Sequence, residues 1–554
     1  MADLLRLIVC SLAGAVLCLA TPAPSLPVVD LGYELHQATF NSSGQYYNFS
    51  NVRYGAPPVG KLRFSAPTTP STNGSKVFND GSKAVTCFQT VPAWTLYSAD
   101  WVANGTAAFD IPAGYHVPPL GNTAPPDPTA TEDCLFLDVM VPQAVYNAAG
   151  KGQGAPVMVW IHGGGYTLGS KTLYSPSAAG LIKRSQSQGG KGVIWVAMNY
   201  RLGAFGFLSG PTFQKQNGTA NAGLYDQRLA IEWVQQHISK FGGNPKQVTV
   251  IGESAGGGSL MHQITAFGGS RGKVPFQQAI VQSPGFQPSP SKKLQENVYK
   301  SFLATAGVST LDEARFLSTQ ALQLANYKLV GSSSPYGTFT FNPVVDGIFA
   351  PALPGQLLLQ GRFDKSLKVM AGHNLNEGYN FMDPFAQNET VFDEDFRIFF
   401  PTITNATVDY ITQMLYPPIF DGSHNYTNYT GRGDLWLSEA IFTCNTNYLA
   451  RAYGNNVHNY IFSVPPSLHG DDISYTYYNG PNPPYVKNDT LAIIMQKYFT
   501  NFAIKGDPNG PGLPRFPTYG GSATVLNLNV STIGPIADNV KNARCLWWQK
   551  GLYA

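Results

Sequence analysis

The stretch "QVTVIGESAGGGSLMH", residues 247–262, runs four strand-forming residues, Val248 to Ile251, into a glycine-flanked Ser254 and then three consecutive glycines. Glycines lose the most backbone entropy on folding and weaken a following helix, so the run asks for a chemical reason. The bare pattern G-x-S-x-G is weak evidence in a Gly- and Ser-rich chain. "GGSRG", residues 268–272, fits it around Ser270 but follows Thr265-Ala266-Phe267 and precedes charged residues and a proline. Ser254 has the right flanks. A β-branched run ends at Gly252 and "SLMHQIT" continues as a helix, the strand-turn-helix setting of a nucleophile elbow. There Gly252 and Gly256 remove side chains that would collide across a sharp turn, leaving the Ser254 hydroxyl exposed above a sheet edge. The competing reading is a structural turn serine.

A serine hydroxyl is a weak nucleophile at neutral pH, so catalysis requires a histidine base, a carboxylate to orient it and an oxyanion hole. "APVMVWIHGGGYTLGS" carries a β-rich segment, Val157 to Ile161, into His162 and three glycines, matching an HGGG loop that lends amides to an oxyanion. Gly164 and Gly165, with Ala255 after the serine, are the expected amide donors. His162 precedes the serine, whereas the α/β-hydrolase order is Ser, acid, His, so it reads as structural. Downstream, His262 falls in the helix after the elbow, His373 precedes the best acid, and His424 is flanked by two glycosylation sequons. His458 opens a strand-like run, and His469 lies in the loop beyond it. Chemistry collects at the carboxyl ends of strands in open α/β sheets, which selects His469. By the same rule the acid is Glu377, in "LKVMAGHNLNEGYNF", with Asp346 in "FNPVVDGIF" as its rival. No cofactor or metal is required.

The 554 residues can bury a large core, and no repeat, charge run or spacer divides them, so one large domain over 21–554 is expected. Charged residues make up 12% and the net charge is +3. Without a clustered basic face, that excludes nucleic-acid binding as the expected role. Residues 1–20 read as a signal peptide, too short in its apolar run for a membrane span. Eleven N-x-[ST] sequons fit a secreted, extracellular chain, for example Asn41, Asn73, Asn104, Asn217 and Asn488. Cys87, Cys134, Cys444 and Cys545 then remain in an oxidising compartment, as two disulfides with three possible pairings.

Several blocks occur in family order: "YGAPPVGKLRFSAP" (54–67), "TEDCLFLDV" (131–139), "VMVWIHGGGY" (157–166), "MNYRLGAFGFL" (198–208), "NAGLYDQRLAIEWVQQHISKFGGNPKQVTVIGESAGG" (221–257) and "FNPVVDG" (341–347). With them the chain resembles the type-B carboxylesterase/lipase family, the cholinesterase-like branch of the α/β-hydrolase fold. The resemblance implies an α/β architecture, with a large, mostly parallel mixed sheet covered by helices on both faces. It also implies a Ser254–Glu377–His469 triad with Gly164, Gly165 and Ala255 as oxyanion hole. Disulfides Cys87–Cys134 and Cys444–Cys545, and ion pairs Arg63–Glu132 and Arg201–Asp226, are implied too.

The expected function is a secreted serine esterase that cleaves carboxylic esters through an acyl-enzyme. Alternatives are an interfacially activated lipase and a noncatalytic cell-surface binding homologue, since a fold alone does not fix function. The segment between Cys87 and Cys134 is longer than its cholinesterase counterpart and lacks that enzyme's tryptophan at the matching distance before the second cysteine, which argues against a choline site. Its Trp94, Leu96, Tyr97, Trp101, Phe109 and Tyr115 form either an apolar lid or a fixed pocket wall. The helix-spaced Leu491, Ile494, Met495, Tyr498 and Phe502 read as core packing, and the tripeptide Arg432-Gly433-Asp434 as a chance match.

Overall fold

The computed structural model describes residues 26–72, 76–104, 127–173, 177–187, 190–480 and 485–553. The expected signal peptide, the Asn73 sequon, Phe109 and Tyr115 lie outside the described residues. In chain order the central sheet comprises β1 (Thr39–Asn41), β2 (Tyr46–Arg53), β3 (Phe136–Pro142), β4 (Ala155–Ile161), β5 (Ile194–Met198), β6 (Gly243–Glu253), β7 (Gln278–Gln282), β8 (Lys368–Asn374), β9 (Val457–Phe462), β10 (Thr524–Leu528) and β11 (Ile533–Ala537). Their spatial order is β11-β10-β9-β8-β7-β6-β4-β5-β3-β2-β1. Strands β4 to β10 are mutually parallel. Antiparallel pairs close both edges.

Parallel strands buried on both faces favour near-continuous apolar runs, and the centres of these strands supply them, as in residues 157–161, 194–198 and 279–281. Along β4, Val157, Val159 and Ile161 join one hydrophobic cluster while Met158 and Trp160 join the other. Helices Ala222–His237, Ala255–Ile264 and Cys444–Tyr453 contribute to the first cluster, and Ala179–Gln186 and Asp489–Lys505 to the second. Leu491, Met495, Tyr498 and Phe502 are therefore core residues, as their helical spacing predicts. Full burial of each such side chain is worth roughly 1.5–3 kcal/mol.

Both disulfides pair as the resemblance implies, Cys87 with Cys134 and Cys444 with Cys545. Arg63 meets Glu132 through Nε and Nη2 at 2.7 and 2.6 Å, and Arg201 meets Asp226 at 2.8 and 2.7 Å. Such fork-to-carboxylate pairs fix orientation as well as distance. Arg432 is fully buried, bound to Glu389 and to the carbonyls of Tyr416 and Thr412, so its tripeptide is not displayed for adhesion. Among the described residues no helix is long and apolar enough to cross a membrane.

The chain reverses direction across the sheet at β4: β5 lies on one side of it and β6 on the other. That is a topological switch point, where the loops leaving neighbouring strands splay apart and open a crevice. Gly252 on β6 pairs with Ile161 on β4, placing the segments that follow, Ser254 and the His162 loop, side by side.

Candidate active site

Ser254 sits between β6 and the helix Ala255–Ile264 with φ 57° and ψ −123°, a conformation that side chains rarely adopt. The surrounding glycines make it attainable. A Cβ on Gly252 would lie 2.6 Å from the Gly256 carbonyl, and one on Gly256 would lie 2.0 Å from the Ile161 oxygen. Gly257 and Gly258 face the carbonyls of Gln282 and Gly285 just as closely, at 2.5 and 2.3 Å from an added Cβ. The run of glycines thus lets the helix start directly against the ends of β4 and β7, at the cost in helix propensity noted above.

His469 lies in the loop after β9, Glu377 in the loop after β8. The structure brings both to Ser254: His469 Nε2 is 2.9 Å from Ser254 Oγ, and His469 Nδ1 is 2.5 Å from Glu377 Oε2. Glu377 is fully buried, and its other oxygen accepts from the Ser283 hydroxyl at 2.6 Å and the Asn374 amide at 2.5 Å. Burial opposes its ionisation, but His469 and these donors outweigh it and hold the carboxyl below its ordinary range. Burial would also lower the His469 imidazole, yet the negative charge of Glu377, joined by Glu253 where that carboxyl is ionised, pushes it up to about 9.

Gly164 and Gly165 both take positive φ, 101° and 56°, and line the crevice beside Ser254. An added Cβ would lie 2.2 Å from the Leu168 carbonyl oxygen at Gly164 and 2.2 Å from the Phe339 ring at Gly165, so neither position has room for a side chain. Ala255, the first residue of the helix, lines the apolar chamber next to Ser254. An open cavity of about 590 Å³ faces Ser254 and His469, bounded by Trp94, Phe339, Phe381, Asp471 and Tyr485. The smaller chamber holds about 30 Å³ among Phe286, Phe339, Phe381, Phe399 and Phe442.

The other candidates are elsewhere. Asp346 accepts from the amides of Ile348 and Ala350 at 2.8 and 2.9 Å and from Asn221, closing a turn. His162 is buried and stacked on Tyr200 at 4.3 Å, and His262 packs edge-on against Phe286. His373 faces Thr446, His424 stacks on Tyr426, and His458 bonds the Pro517 carbonyl.

Sequence reasoning passed over Glu253, although it adjoins Ser254. Its carboxyl ends a buried strand, and burial pushes it up to about 8. Ser283 and Asn374 were also missed. Both sit at carboxyl ends of parallel strands, the signal that would have found them.

The sequence profile of the Carboxylesterase family matches residues 32–548. The chain is 41% identical over 546 residues to Carboxylesterase patB of Penicillium expansum, covering 95% of this chain and 96% of that one. It is 31% identical over 532 residues to Lipase 1 of Geotrichum candidum, covering 89% of each. Among solved structures, Aspergillus niger EstA superposes with a TM-score of 0.78 at 26% identity, over 95% of this chain and 98% of the other. With the α/β-hydrolase sheet, a serine at its switch point and these relatives, the chain belongs to the carboxylesterase family and is a carboxylic ester hydrolase.

Proposed function

We propose that Ser254, His469 and Glu377 form the catalytic triad of this hydrolase, with the amides of Gly164, Gly165 and Ala255 as its oxyanion hole. The observation that carries the reading is the unbroken chain of contacts from Ser254 Oγ through both imidazole nitrogens to the buried Glu377. His469 Nε2 takes the hydroxyl proton as Oγ attacks the ester carbonyl, whose electrons collect on the oxygen facing the glycine amides. Collapse of the tetrahedral adduct expels the alcohol, protonated by His469, and leaves an acyl-Ser254. Water, deprotonated by the same histidine, then releases the acid. Glu377 keeps the proton on Nδ1 and stabilises the imidazolium.

Dissolved esters with a compact acyl group fit the two unequal chambers better than triglyceride droplets. About 10–15 Å³ accommodates one water-sized group, so the smaller chamber has room for roughly two. The leader-like residues 1–20 and the sequons favour an extracellular, glycosylated protein.

The direct test is to incubate the protein with a fluorophosphonate and map the adduct by peptide mass spectrometry. Label on Ser254, absent from a folded Ser254→Ala variant that no longer hydrolyses 4-nitrophenyl acetate, is the expected result. Label elsewhere, or an active Ser254→Ala variant, would overturn the assignment.

A further inference from the structure

We propose that Gln89 is a positioning residue for the oxyanion loop, a role that rests on the oxyanion-hole reading above. The loop from His162 to Gly169 folds tightly on itself. The Gly164 carbonyl accepts from the amides of Thr167 and Leu168 at 3.1 and 3.0 Å, orienting the peptides that follow it. Gly169 closes the fold at φ 114°, where an added Cβ would lie 2.4 Å from His162 Nδ1 and 2.6 Å from the Gly163 oxygen. Any shift of Gly169 is therefore transmitted directly to the glycines that face the reacting carbonyl.

What holds Gly169 comes from a distant part of the chain. Its amide donates to Gln89 Oε1 at 2.8 Å, and the next residue, Thr90, donates its own amide to the Thr167 carbonyl at 2.8 Å. Gln89 follows Cys87 by two residues, so the Cys87–Cys134 disulfide anchors the strap that grips the loop. A backbone N–H can only donate, which fixes the requirement at Gln89: the side chain must present an acceptor of this length. Without it the Gly169 amide loses its partner, and the turn relaxes to find another. Gln89 does not touch the reacting atoms. It acts through Gly169 on the position of Gly164 and Gly165, and misplacement of about 1 Å in such a site can lower rate by about 10²-fold.

The test compares Gln89→Met, which keeps the length and removes the acceptor, with Gln89→Glu, which keeps both. Hydrolysis of 4-nitrophenyl acetate is read beside inhibition by a phenyl trifluoromethyl ketone, which forms an oxyanion on Ser254, and by the unfluorinated methyl ketone, which stays trigonal. In Gln89→Met, kcat/KM should fall about 10-fold to 100-fold, against the 10²–10³ typical of deleting a donor outright. The trifluoromethyl ketone should weaken by the same factor and the methyl ketone by less than about 2-fold. Gln89→Glu should stay within about 3-fold of the parent on all three readings. The proposal is overturned by a Gln89→Met enzyme within about 3-fold of the parent, by equal weakening of both ketones, or by Gln89→Glu failing as badly as Gln89→Met. Gly164→Ala, whose added methyl meets the Leu168 carbonyl oxygen, run in parallel on the same two ketones separates the two levels. If it weakens both ketones equally, the oxyanion reading falls; if it selectively weakens the trifluoromethyl ketone while Gln89→Met is unimpaired, only the role of Gln89 falls.

Discussion

Glu253 Oε1, which has no hydrogen-bond partner among the described residues, lies 3.5 Å from His469 Nε2, the same nitrogen that meets Ser254 Oγ at 2.9 Å. The imidazole therefore has a carboxyl group at each nitrogen, Glu377 at Nδ1 and Glu253 near Nε2. Both favour its protonated form, whereas the proposed base must be neutral to act.

The acid limb of kcat/KM should accordingly lie at higher pH than the ~6.5 of an unperturbed histidine, because a raised pKa keeps the base protonated further up the scale. Glu253 ionises only near pH 8, so its charge helps to hold the imidazole protonated at the top of the range; Glu253→Gln removes that contribution, and the limb should move to lower pH. Initial rates on a soluble aryl ester from pH 5 to 10 check both statements. A parent limb at or below about 6.5, or one that Glu253→Gln leaves in place, contradicts the electrostatic account.

Glu377→Gln should reduce kcat by about four decades if orientation and tautomer matter here as in the serine-protease triad. Asp346→Asn removes a carboxylate that closes a turn and holds Asn221, away from Ser254, and should leave kcat within about 3-fold while lowering thermal stability. Opposite outcomes for the two variants would reassign the acid.

Much of this candidate site is legible in the sequence because each proposed catalytic position follows a β-rich run. Ser254, Glu377 and His469 could be chosen by asking which polar residues stand just past the carboxyl ends of buried strands. The glycines around Ser254 were readable for the same reason: only a close backbone approach justifies their entropy cost, and the 2.0 Å separation between an added Gly256 Cβ and the Ile161 oxygen supplies it. Contacts made at long range were not legible. Gln89 reaches Gly169 across 80 residues and Ser283 reaches Glu377 across 94, and neither carries a local pattern. Aromatic residues gave the least direction, since Trp94 and Leu96 are neighbours in sequence, yet Trp94 is 4% exposed and Leu96 is 62% exposed.

Gly256→Ala should cost more activity than stability. The new methyl group meets backbone, not a side chain that can turn away, so the helix must retreat from β4 and carry Ser254 and the Ala255 amide with it. Overpacking of this kind costs about 1–3 kcal/mol, which a domain of this size tolerates, whereas the elbow geometry is lost. Circular dichroism melts beside fluorophosphonate labelling rates separate the two effects. Loss of folded protein, or labelling at the parent rate, contradicts the expectation.

The aromatic segment after Cys87 bears on whether this hydrolase works on dissolved esters or at lipid surfaces. A mobile lid would show its tryptophans loosely packed against the site, ready to turn outward on lipid. Instead Trp94 donates its indole N–H to the Thr338 carbonyl at 2.7 Å and packs on Tyr336, Phe339 and Phe381. Trp101 is 3% exposed and stacks on Tyr379 at 4.2 Å. Within the described residues Trp94 is a wall of the cavity and Trp101 is a packed core ring of the same helix, and truncating a buried tryptophan costs roughly 3–5 kcal/mol. Trp101→Ser should therefore lower stability and depress hydrolysis of a soluble aryl ester and of emulsified tributyrin by the same factor. The parent enzyme should saturate smoothly below the solubility limit of tributyrin, without a jump when droplets form. A steep rise at that limit, abolished in Trp101→Ser while the soluble ester is still turned over normally, would make the segment a lid and the protein a lipase.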